Sequence, residues 1–160
     1  MPCYLFTYHA YGSWMPDREA GFVRRGEGIL PTNEELAELY RAKAKENQVV
    51  FDLRLQRLLI DESQIAFEKQ HCRGHFVATE PSHLHALVSW PDDRPWQKLR
   101  AGLRSSLTRR LNREIRRREW FVDSASRKQV RNQEHFDHLV TVYLPSHRGW
   151  KWREGGEPFV

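Results

Sequence analysis

Cysteine is nearly absent from this chain: Cys3 and Cys72 are the only two in 160 residues, and their spacing suits no metal motif. A disulfide framework is therefore not expected, and a reducing cytoplasm is the simplest setting. Long apolar runs are missing too, and the stretch Met1 to Thr7 has no basic segment ahead of an apolar one. Neither a membrane span nor a signal peptide is expected. Internal repeats and low-complexity segments do not occur. Acid is the scarcer charge, 21 Asp and Glu against 26 Lys and Arg, a net charge of +5. That balance favours a polyanionic partner. The length suits a single domain, residues 1–160, able to bury a core without covalent staples.

The surplus charge is concentrated. Between Lys98 and Arg118 stand nine basic residues (Lys98, Arg100, Arg104, Arg109, Arg110, Arg113, Arg116, Arg117 and Arg118) and one acid, Glu114. Leu99, Leu103, Leu107 and Leu111 recur at fourfold spacing through the same stretch, and Pro95 suits the first turn of a helix. The segment reads as a helix that buries one side and presents cations on the rest. Lys98, Arg100, Arg104, Arg109, Arg110 and Arg113 are its candidate nucleic-acid contacts. The other reading is a solvated face, for which a single acid among nine bases is a poor recipe.

Taken in order, residues 4–15 are aromatic, with Tyr4, Phe6 and Tyr8 alternating with Leu5, Thr7 and His9, a pattern for a central strand. Gly12 marks a bulge or a close approach of another backbone. Residues from about 17 to 33 carry Gly21, Gly26, Gly28 and Pro31 without any period and read as a loop insertion. Thr32 or Asn33 caps a helix opening on Glu34 and Glu35, with Leu36, Leu39 and Tyr40 on one face. A second helix is expected from Asp61 to Cys72, although one bent helix over 34–72 fits as well. His75–Thr79 reads as a strand and Glu80-Pro81-Ser82 as its tight exit into a second strand. Trp120-Phe121-Val122 looks like a short strand with Lys128–Arg131 as its hairpin partner, and Asn132 caps a last helix. This order is that of an α+β, ferredoxin-like split βαβ sandwich. It has an antiparallel sheet with helices on one face and a C-terminal helix carrying Tyr143.

The strand after Ser82 has the most chemistry. Successive side chains alternate between faces, so His83, His85, Leu87 and Ser89 share one side and Leu84, Ala86, Val88 and Trp90 the other. Two imidazoles two residues apart can hold one metal ion, or can simply make a polar face. Near the end, Tyr143 and His147 are four residues apart, neighbours on a helix, but Pro145 between them breaks helical hydrogen bonding. His9, His71, His75, His135 and His138 read as structural or surface residues, with His9 able to reach DNA. Trp150 and Trp152 either stack on bases or pack the last helix.

His83-Leu84-His85 on a strand, then a basic helix, then a lone Tyr143 with His147 four positions on, resembles the single-tyrosine HUH transposases. These are the insertion-sequence-200/605 type and their relatives associated with repetitive extragenic palindromes. Phe6-Thr7-Tyr8-His9-Ala10-Tyr11-Gly12-Ser13-Trp14-Met15-Pro16 and Tyr143-Leu144-Pro145-Ser146-His147-Arg148-Gly149-Trp150-Lys151-Trp152 resemble the same group. The resemblance implies a nuclease and strand transferase for single-stranded DNA with hairpin-forming ends, working as a homodimer. It implies His83 and His85 as ligands of Mg²⁺ or Mn²⁺, with His147 third where the family more often has Gln or Asn. Tyr143 would be the nucleophile, forming a 5′-phosphotyrosine. Two other readings stand beside it. One is a non-catalytic DNA- or RNA-binding regulator on the same fold. The other is a zinc hydrolase, which the lack of a Glu next to the pair disfavours.

Overall fold

The alternation at the start of the chain does form a strand. In the computed structural model, which describes residues 1–13, 22–24, 28–30, 33–43, 47–123 and 126–160, β1 is Cys3–His9. After β2 (Phe22–Arg24) and β3 (Gly28–Leu30) come α1 (Glu34–Lys43) and α2 (Leu53–Lys69). Then follow β4 (Arg73–Glu80), β5 (His83–Ser89), α3 (Trp96–Glu114), β6 (Ser126–Gln129), α4 (Gln133–His138) and β7 (Lys151–Arg153). Of the expected insertion, β2 and β3 pair as a separate two-stranded sheet. Asn33 caps α1 by accepting from the Leu36 N–H at 2.9 Å, and the other residues of the insertion, like Trp14, lie outside the described residues.

The main sheet has the order β6-β1-β5-β4-β7, antiparallel throughout. Without β7 this is the order of the split βαβ sandwich, with β5 between β1 and β4. Alternation in β5 divides the molecule into two layers. Leu84, Ala86, Val88 and Trp90 join Phe6 and Tyr8 in the larger core, under α2 and α3 with Leu59, Phe67, Leu99, Leu103, Leu107 and Leu111. On the other face Leu87 joins Leu5, Phe76 and Ala78 under Leu139, Val140 and Leu144. The last helical segment therefore lies across the sheet from α2 and α3, on the histidine face.

Three local expectations need correction or refinement. The second helix begins at Leu53, not Asp61, because Asp52 caps it by accepting from the Leu55 N–H at 2.8 Å. Asp61 sits inside the helix, paired with Arg57 at 3.0 Å. Residues 120–122 and 128–131 do not form a hairpin. Phe121 bridges to Ala10, and β6 pairs with β1 from Thr7 to Tyr4, so both run along the same edge of β1. Gly12 does what a close approach requires. Its φ is +81°, open to glycine, and a Cβ there would stand 3.0 Å from the Gln48 Cα.

Candidate metal and tyrosine site

His83 and His85 face the smaller layer because β5 alternates, and the register sets His9 opposite His83 and Thr7 opposite His85 on β1. The last helical segment brings the rest. Asn132 caps α4 through the His135 N–H at 2.8 Å. The helix then widens into a π-turn over Leu139–Tyr143, in which the Leu144 N–H reaches back five residues to the Leu139 carbonyl. A 3₁₀ turn, Leu144–Ser146, follows and holds Pro145, where the proline needs no N–H partner. The chain leaves it extended at His147, whose ψ is 142°.

Pro145 thus ends the helix without carrying His147 away. The His147 ring is 4.8 Å from that of His85 and 5.1 Å from that of Tyr143, centroid to centroid. What holds it there lies downstream. The buried Lys151 ammonium donates to the His147 carbonyl at 2.7 Å and to the Gly149 carbonyl at 3.0 Å. Gly149 N–H and Thr79 N–H bond across to Thr79 and Trp150 carbonyls. Buried Gln56 accepts from the Trp150 N–H and from the Thr79 hydroxyl, both at 3.1 Å. None of Gln56, Thr79 or Lys151 is signalled by a local motif: Gln56 and Thr79 act on a segment distant in sequence, and Lys151 on the backbone carbonyls just before it.

The ring nitrogens are sorted. His147 Nδ1–H donates to the Tyr143 and Leu144 carbonyls, 3.1 Å from each, which fixes its tautomer and leaves Nε2 as the lone-pair atom. His83 Nδ1 is 2.9 Å from the Ser82 hydroxyl, and His85 Nδ1 is 2.7 Å from the Thr7 hydroxyl. With all three Nδ1 atoms beside an oxygen, Nε2 is the atom each histidine could offer an ion, the arrangement found behind metal-bound imidazoles. One ligand atom from each of the three lies within 4.8 Å of the others, so the group could hold a metal ion.

Tyr143 completes the arrangement. Its hydroxyl is 3.2 Å from His85 Nε2, and the side chain is 38% exposed, open to a large substrate. Partial burial pushes the phenol pKa above its ordinary value. His85 is 5% exposed, and its pKa is pushed down to about 2, first by burial and then by His83, His147 and His9. The imidazole is therefore neutral and fit to ligate at any working pH. The unfolded chain takes up a proton at His85 below about pH 6.5 while the folded one does not. His85's contribution is therefore intact above that pH and is lost as the pH falls. In metal-free protein the melting temperature should drop between pH 7.5 and 5, with stability falling by up to about 1.4 kcal/mol per pH unit. A flat profile by calorimetry would contradict the neutral, buried state.

The arginines lie elsewhere. The α3 helix belongs to the layer on the far side of the sheet from the histidines. Arg100 is buried with its guanidinium 5.2 Å from the centre of the Tyr8 ring. Arg104 binds the Phe121 carbonyl and Asp123, and Arg110 pairs with Glu62 and Glu114. Lys98, Arg109 and Arg113 are exposed, Arg113 within 3.7 Å of Glu114. A groove of about 830 Å³ beside the helix is lined by Arg100, Arg104, Arg109, Arg117, Arg118 and Trp120, among others. Trp150 and Trp152 pack against the main core, with Arg57 over the Trp150 ring and Phe67 beside Trp152.

No family model matches the sequence, and no curated protein does. Among solved structures, one of a REP-associated tyrosine transposase bound to a REP hairpin is similar, at 11% identity and a TM-score of 0.49. The match covers 87% of this chain and 62% of that one, so this chain spans less than two thirds of its length. A second is the crystal structure of "a putative transposase from Deinococcus radiodurans R1", at 10% identity and a TM-score of 0.48, covering 92% of this chain and 91% of that one. Both are named as transposases. Among the described residues, no helix is long and apolar enough to cross a membrane.

Proposed function

We propose that this protein is a metal-dependent endonuclease and strand transferase for single-stranded DNA, acting through a 5′-phosphotyrosine. The observation that carries the reading is the Tyr143 hydroxyl 3.2 Å from His85 Nε2, within a cluster of three histidines. His83, His85 and His147 would hold a divalent ion through Nε2, and the ion would polarise the scissile phosphate. Three neutral imidazoles with no carboxylate favour Mn²⁺ over Mg²⁺, which prefers oxygen ligands and keeps its waters.

The chain's own residues supply the rest. Tyr143, exposed along one side, lets its oxygen attack phosphorus in line. The Tyr143 O–P bond forms, the P–O3′ bond breaks, and the DNA is left with a free 3′-hydroxyl while the protein keeps the 5′-phosphate. Reversal of that exchange rejoins a strand without ATP. The arginine groove offers phosphate contacts on the other side of the sheet. Hairpin-forming substrate ends and a homodimer belong to the proposal, although the histidines and Tyr143 already meet within one chain.

The test is to incubate the protein with end-labelled single-stranded hairpin DNA and Mn²⁺ and to look for a label that stays with the protein on a denaturing gel. No adduct and no cleavage across a panel of hairpin ends would sink the proposal. A non-catalytic nucleic-acid-binding regulator is the second reading, favoured by the position of the arginine groove away from the histidines. It predicts salt-sensitive binding that survives loss of Tyr143 and needs no metal.

A further inference from the structure

Two of the three histidines in the cluster have an Nδ1 partner that comes from nearby in sequence: Ser82 is next to His83, and the Tyr143 and Leu144 carbonyls are within one turn of His147. His85 does not. Its Nδ1 partner is Thr7, 78 residues away on β1, paired with it in register across the sheet. Both side chains are buried, Thr7 at 7% and His85 at 5% exposure, so the hydroxyl and the ring meet largely out of solvent. His85 is also the histidine whose other nitrogen meets Tyr143.

We infer that Thr7 is a positioning residue of this site: its hydroxyl oxygen accepts from His85 Nδ1–H and thereby presents the Nε2 lone pair to the centre of the cluster. The inference deepens the proposed function and rests on it for the identity of the occupant. A neutral imidazole carries one proton on one of two nitrogens, and the partner of the first decides what the second can do. With Nδ1–H pointed at Thr7, Nε2 can bind an ion or accept from the Tyr143 hydroxyl. With the opposite tautomer it can do neither. Without the hydroxyl, the buried ring would be free to place its proton on Nε2, where the Tyr143 oxygen is at hand to accept it. The tautomer that cannot ligate would then be favoured. Thr7 escapes notice in the sequence because one threonine in an aromatic strand is unremarkable. The register with His85 gives it meaning.

The experiment compares wild type, Thr7→Val and Thr7→Ser. Valine keeps the shape and removes the hydroxyl, whereas serine restores the hydroxyl. Two readouts are taken: the His85 tautomer by ¹⁵N–¹H correlation spectroscopy of metal-free protein, and Mn²⁺ affinity by titration calorimetry. Wild type and Thr7→Ser should show Nδ1–H, and Thr7→Val should shift toward Nε2–H. Mn²⁺ affinity should fall by about tenfold or more in Thr7→Val alone, the usual range for loss of an outer-shell partner. An unchanged tautomer or an unchanged affinity in Thr7→Val overturns the inference, as does failure of Thr7→Ser to restore them. If wild type bound no Mn²⁺, the metal reading itself would fall, and the tautomer comparison, made without metal, would still decide the role of Thr7.

Discussion

Tyr143→Phe should leave a folded protein that binds metal and DNA but forms no covalent adduct. The substitution removes one atom. The ring stays beside His85 and His147, and the hydrogen bond it loses, at a half-buried position, is worth about 0.5–1.5 kcal/mol. The covalent adduct, by contrast, requires the phenol oxygen. Among the described residues, Tyr143 has the only phenol in contact with the histidine cluster; Tyr8 lies in the main core on the opposite face. Loss of a covalent nucleophile typically costs a factor of roughly 10³ or more. The measurement is the labelled-hairpin assay with Mn²⁺, run beside wild type and beside a chelator control. An adduct in the phenylalanine variant would remove Tyr143 from the mechanism. Adduct formation that ignored the chelator would remove the metal instead.

The second large effect is expected at a residue with no chemistry. At Gly149 an added Cβ would stand 2.2 Å from Gln56 Oε1 and 2.3 Å from the Thr79 carbonyl oxygen. Neither neighbour can retreat. Thr79 belongs to β4, and Gln56 is buried and tied to the Phe51 carbonyl at 2.7 Å as well as to Thr79 and Trp150. The segment from His147 to Trp150 must lift from the sheet instead. Gly149→Ala should therefore destabilise the protein by about 1–3 kcal/mol in urea unfolding. It should also weaken Mn²⁺ binding, because His147 travels with that segment. Unaltered stability together with unaltered affinity would show that the segment is not what holds His147.

These two residues mark what was legible in the sequence. Tyr143, His83 and His85 announce themselves by type and spacing, and strand alternation alone assigns the two histidines to one face. The layers were legible for the same reason: the leucine spacing of α3 and the alternation of β5 are local patterns. Pro145 is also visible, but its consequence is not. A proline predicts that the helix stops, not that Lys151, Gln56 and the backbone of β4 will catch the chain beyond it. Thr7, Gly149 and Lys151 act through register and backbone contact, which no periodicity reports. The arginines show the converse limit. Their number was legible, but not that Arg100, Arg104 and Arg110 are held within the fold by Tyr8, Asp123, Glu62 and Glu114.

The two faces of the sheet are unequally anchored. Among the described residues, the larger cluster has 20 buried members and the one beneath the tyrosine-bearing segment has seven. Local opening costs least where the least apolar surface is buried. The amides of Leu139–Leu144 should accordingly exchange with deuterium well before those of β5, through an opening that leaves the histidine strand in place. With Tyr143 on the layer that opens and His83 and His85 on the strand that stays, the proposed reaction would let the protein carry a joined strand away from those two histidines without unfolding the sheet that holds them.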